Sequence, residues 1–152
     1  MTRVHEGGRL FFLSLILVLI STVLQLNFDD VFNFRPDFVL VALIVSAFFL
    51  GFFELIFVVL LSALIINWQP ILSYEILILV LWPILVYFLN RFFPGKAWFN
   101  SLIMIALGIF ILYASVIFRN FLDSSRLIAL DVSVCLVFGF LIFNLFEKLK
   151  TK

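Results

Sequence analysis

The stretch FVLVALIVSAFFLGFFELIFVVLLSALIINW, residues 38–68, decides how this chain is organised. Glu54 is its single charged residue. Read as one α-helix, its 31 residues would extend roughly 46 Å at about 1.5 Å per residue. The hydrocarbon core of a bilayer is only about 30 Å thick. Gly51 and Glu54 interrupt the run. Two short helices, 37–52 and 54–68, with a tight turn at LGFFE (50–54), therefore fit better than one. Each is short for a crossing, so one of the two is expected to be broken or inclined. Glu54 then starts a helix near the surface, where the helix dipole favours a carboxylate.

The rest of the chain points the same way. Of its 152 residues 66% are hydrophobic and 12% charged, and the mean hydropathy is +1.31. Soluble domains have roughly 45–50% apolar and about 25% charged residues. The composition is that of an integral membrane protein. Further apolar helices are expected at 10–28, 76–90, 102–118 and 127–146, giving about six transmembrane helices in one polytopic, all-α domain covering residues 1–152. The first apolar stretch is longer than a signal-peptide core and no small-residue cleavage site follows it, so a retained helix is expected. Pro83, inside the fourth helix, is expected to kink it.

Charge supports six crossings. Alternating spans put Arg3, Arg9, Arg91, Lys96, Lys148, Lys150 and Lys152 on one side and Arg35, Arg119 and Arg126 on the other, seven against three. The positive-inside rule then places both termini in the cytoplasm. Fusing the second and third helices gives a weaker asymmetry of six against four. The net charge of +1 carries no global field for nucleic acid.

Catalytic chemistry is sparse. The single histidine, His5, and single cysteine, Cys135, offer neither a disulfide nor the usual zinc set. There is no HExxH, phosphate loop or aspartate-rich motif. The expectation is a non-enzymatic protein with no cofactor and no metal.

Some residues stand out nonetheless. Asp131 falls about six residues into the last helix, roughly 9 Å deep. There it either faces protein, with Arg119 or Arg126 as partner, or is hydrated near the interface. Ser14, Ser21 and Gln25 share one face of the first helix. Ala42 and Ser46, Ala47 and Gly51, and Cys135 and Gly139 are small pairs four apart. Ser101, Gly108 and Ser115 recur every seven residues along the fifth helix. Such stripes serve close packing within one chain or the docking of a partner's helix. Trp68, Trp98 and Tyr74 suit the interfacial aromatic belt, while Trp82 is deeper and a candidate for lining a pocket.

The stretch NFRPDFVLVALIV, residues 33–45, carries a resemblance. An F-R-P-D/N motif opens the second helix of a small all-membrane chain with a basic tail, here LFEKLKTK. In this the chain resembles the bacterial rod shape-determining protein MreD family. In the third helix it departs from the family, with Asn67 in SALIINWQPILSY (62–74) where an acidic residue is common. Arg35, Pro36 and Asp37 match the motif. Physical chemistry also suits them to a helix opening: Pro36 needs no N–H in the first turn, Asp37 complements the positive helix end, and Arg35 can snorkel toward headgroups.

The resemblance implies a scaffold of the cell-elongation complex in the cytoplasmic (inner) membrane. It would bind an MreC-like single-pass protein and associate with an MreB-like actin homologue and the peptidoglycan synthase complex. It also implies a bundle similar to the substrate-binding components of energy-coupling-factor transporters. The alternative is therefore a vitamin-binding subunit, for which Asn67, Trp68, Gln69, Trp82 and Asp131 are candidate pocket residues.

Overall fold

The computed structural model describes residues 3–32, 36–66, 74–116 and 125–151; within its helices the side chains at 3–7, 26, 28–32, 115–116 and 125–127 fall outside the description. Among the described residues all regular secondary structure is helical. The helices are α1 (Arg3–Phe32), α2 (Phe38–Ser46), α3 (Phe52–Ile66), α4 (Tyr74–Leu89), α5 (Ala97–Val116) and α6 (Ser125–Lys150). Three contain segments long and apolar enough to cross a membrane: Gly8–Gln25, Ala97–Ala114 and Ile128–Lys150. Helices α3 and α4 are apolar but shorter, 15 and 16 residues.

The 38–68 run divides where the sequence suggested, but its first half is not a membrane-length helix. Helix α2 has nine residues, roughly 14 Å. It does not reach residue 52. The Ser46 hydroxyl donates back to the Ala42 carbonyl at 2.8 Å, a bond that bends helices. Phe48 and Phe49 then bond the carbonyls three residues back, Val45 and Ser46. This tightened turn carries the chain to Leu50. Gly51 starts α3 by accepting from the Leu55 N–H at 2.9 Å. Glu54, in the first turn of α3, reaches back to accept the Gly51 N–H at 3.0 Å. That is the helix-start role expected of it, and one arm of a capping box.

All nine residues of α2, FVLVALIVS, are buried, none more than 3% exposed. A helix apolar on every side has no face to offer water and is placed in the interior. Here it forms the axis. Neighbouring contacts run α1–α3, α3–α4, α4–α5, α5–α6 and α6–α1, closing a ring, and α2 touches every member of it. The outer faces of the ring remain apolar, as with Phe12, Ile16, Leu19 and Val23 on α1. This suits a lipid surrounding.

Helices α2 and α6 run in the same direction. Phe38 packs on Phe138 with centroids 4.6 Å apart, and Phe49 stacks on Phe146 at 5.0 Å. Helix α3 runs against α4, since Phe52 meets Tyr87 at 5.6 Å. Described basic residues gather at the end where α3 begins. Lys150 lies over the Phe49 ring at 5.9 Å and Arg91 over the Tyr87 ring at 5.2 Å. Lys148 is in the last turn of α6, and Lys96 immediately precedes α5.

Two glycines set the spacing around the axis. A Cβ at Gly139 would strike the Ile105 side chain and lie 3.2 Å from Val41. One at Gly108 would lie 2.5 Å from the Trp82 indole nitrogen and 3.2 Å from Ile44. Gly139→Val is expected to cost about 1–3 kcal/mol by overpacking. Gly8→Ala, where a Cβ meets nothing within 4 Å, should be neutral or stabilising. Helicity followed during unfolding in mixed micelles reads both.

Candidate functional site

Two buried polar residues of other helices, Gln25 and Asp131, converge on the N-terminus of α2. A helix start leaves N–H groups without intrahelical partners, and in lipid no water is at hand to take them. Asp37, the N-cap, makes no capping bond through its own side chain. The Phe38 N–H turns back onto the Pro36 carbonyl at 2.9 Å. The Val39 N–H is taken by Gln25 Oε1 of α1 at 3.4 Å, while Gln25 Nε2 donates to Asp37 Oδ1, also at 3.4 Å. One amide from a neighbouring helix thus serves both the backbone and the cap residue.

Asp131 of α6 approaches from the other side. It is fully buried, so it is not the hydrated interfacial carboxylate that the sequence left open. The Cys135 thiol donates to Asp131 Oδ1 at 3.3 Å. The Asp37 backbone N–H and the Tyr113 hydroxyl also interact with the carboxyl group. Oδ2 closes no hydrogen bond among the described residues. The carboxyl group thus sits at the positive end of α2, where partial charge on the N–H groups favours an anion. Arg119 lies outside the described residues, as does the side chain of Arg126, so neither proposed pairing is described.

Of the Arg35-Pro36-Asp37 motif, Arg35 is outside the described residues, Pro36 is buried and Asp37 is half-buried. The motif therefore opens the central helix. Asp37 and Asp131, far apart in sequence, come together with Gln25, Tyr113 and Cys135. The sequence placed Gln25 on a polar face of the first helix, alongside Ser14 and Ser21. Both serines are buried; Ser14 bonds its own helix at Leu10, whereas Ser21 Oγ has no hydrogen-bond partner among the described residues. Tyr113 carries no local sign of this role in the sequence.

The fifth-helix stripe is used inside the chain. Ser101 and Gly108 are buried; the side chain of Ser115 falls outside the description. Without a Cβ at Gly108, the Trp82 indole reaches the α5 backbone and donates to the Met104 carbonyl at 3.0 Å. Trp82 also lines an apolar groove on the outer surface of α4. Asn67, Trp68 and Gln69, the remaining candidate pocket residues, lie outside the described residues.

Comparison with family models, with curated proteins and with solved structures finds no match.

Removing either remote cap should loosen the bundle from its axis outward. Asp131→Leu is expected to cost about 1–3 kcal/mol, the penalty of leaving buried donors unmet, and Gln25→Leu about 1 kcal/mol. Asp131→Asn, which keeps an acceptor, should cost less than Asp131→Leu. Because both residues serve one helix end, the Gln25→Leu/Asp131→Leu pair should be non-additive. A double-mutant cycle of unfolding midpoints in mixed micelles checks this; strict additivity would show that the two act separately.

Proposed function

We propose that this protein is a non-enzymatic membrane scaffold of the bacterial cell-elongation complex, acting in peptidoglycan synthesis and rod shape as MreD proteins do. It lies in the cytoplasmic membrane with both termini in the cytoplasm. Its partner is an MreC-like single-pass protein, through which it joins an MreB-like filament and the peptidoglycan synthase complex.

The observation that carries this reading is the occupied axis. Helix α2 fills the centre of the ring, and its polar end is engaged with Gln25 and Asp131. A substrate-binding subunit needs a largely preformed concave site with a few placed polar groups. In this bundle the middle is given to packing instead, so what the molecule offers others is its outer helix faces and its ends. The Arg35-Pro36-Asp37 motif at the opening of that central helix adds sequence support. The basic end near Arg91 and Lys150 agrees with a cytoplasmic location for that side.

Recognition of a partner's transmembrane helix rests on close packing against a lipid-facing helix surface. The exposed faces of α1, α5 and α6 supply the positions to probe: Ile16, Leu107 and Val137. A photo-crosslinking residue at each, in cells co-expressing an MreC-like partner, should give an adduct at one face and not at the other two. Adducts at none of the three, with the bundle intact, would remove the proposed mode of partner binding.

A further inference from the structure

The outer surface of α4 carries a groove of about 570 Å³, lined by Leu77, Leu81, Trp82, Leu85 and Phe88 with Ile111 of α5 among others. We propose that it binds one acyl chain of an anionic glycerophospholipid, whose phosphate is held by Arg91 and Lys96 at the groove's Phe88 end.

Length selects the occupant. From Leu77 to Phe88 the groove extends roughly 16 Å along the helix. One leaflet of the hydrocarbon core is about half of 30 Å. The groove thus matches a chain descending from one surface. A partner's spanning helix would need a contact surface of twice that depth.

Charge and aromatic placement select the lipid. Arg91 follows Phe88 by one turn and is tied to it by the Arg91 N–H to Phe88 carbonyl bond of 3.2 Å. Its Nη2 donates to the Tyr87 hydroxyl at 3.1 Å, and its guanidinium lies 5.2 Å from the centre of that ring. The side chain is thereby held against Tyr87, one residue from the groove's Phe88, rather than sweeping through solvent. A guanidinium has five N–H donors in a fixed fork suited to phosphate, and Tyr87 takes one. Lys96, exposed in the same connection between α4 and α5, adds a second cation. Phe92, Phe93 and Trp98 are exposed around them, the aromatic residues expected at headgroup level. The groove's own wall is almost wholly apolar, so specificity comes from this end.

The test is native mass spectrometry of the detergent-purified full chain, titrated with phosphatidylglycerol or phosphatidylethanolamine bearing identical acyl chains. The expected result is several-fold greater retention of phosphatidylglycerol. Arg91→Gln/Lys96→Gln should abolish that preference, and Leu81→Trp, which fills the groove, should lower retention of both lipids. Lys148→Gln/Lys150→Gln, at the same end of the bundle but off the groove, should leave the preference intact. Equal retention of the two lipids by the unaltered chain would overturn the proposal. So would a preference that survives Arg91→Gln/Lys96→Gln, or one lost with Lys148→Gln/Lys150→Gln. The glutamine variants alter exposed residues, so their result stands even where Leu81→Trp fails to fold.

Discussion

A helix end buried in an apolar interior must have its N–H groups met by something other than water. Here that end is the start of α2, and the architecture follows from satisfying it. Pro36 brings no N–H of its own to that end. Phe38 bonds backward, Val39 is met by Gln25, and Asp37 N–H is met by Asp131. Because Gln25 and Asp131 belong to α1 and α6, the capping of the central helix also fixes where the ring closes. Packing alone tells two apolar helices apart poorly in lipid, since tails are as apolar as leucine. Directional bonds at one end of the axis supply the register that dispersion contacts do not.

At the opposite end the constraint is spatial. Ser46 back-bonds, the turn tightens, and Gly51 with Glu54 restarts the chain as α3. Between the two ends Gly108 and Gly139 let α5 and α6 approach. Trp82 uses the space at Gly108 to bond a backbone carbonyl of α5. The indole thus joins α4 to α5 as Gln25 joins α1 to α2. Small residues that look like a docking stripe in the sequence work here as the inner bearing of the bundle.

How much of this the sequence announces depends on the range of the signal. The break at Gly51–Glu54 is local and was legible, as was the helix-start role of Glu54. The helices at 76–90 and 102–118 lie within a few residues of α4 and α5. The longer ones extend past their apolar limits: α1 to Arg3 and Phe32, and α6 to Lys150. Polar residues at the ends add turns that hydropathy does not register. The nine-residue length of α2 was not legible, because FVLVALIVS is apolar throughout and periodicity cannot orient a helix without a polar face. The position of that helix on the axis is a property of five others. Asp131 reads in the sequence either as facing protein with an arginine partner or as hydrated near the interface. That its company includes a thiol, a phenol and a backbone N–H of α2 depends on contacts across long separations, for which one chain carries no local sign.

The joint between α2 and α6 also ties an early part of the chain to a late one. Asp131 and Cys135 lie on α6, the fifth and last of the ring's helices in chain order, whereas Asp37 opens α2. Without α6, the start of α2 has Gln25 but lacks the carboxyl group that completes it. The polar joint at the start of the central helix is therefore complete only with the last helix of the chain order in place.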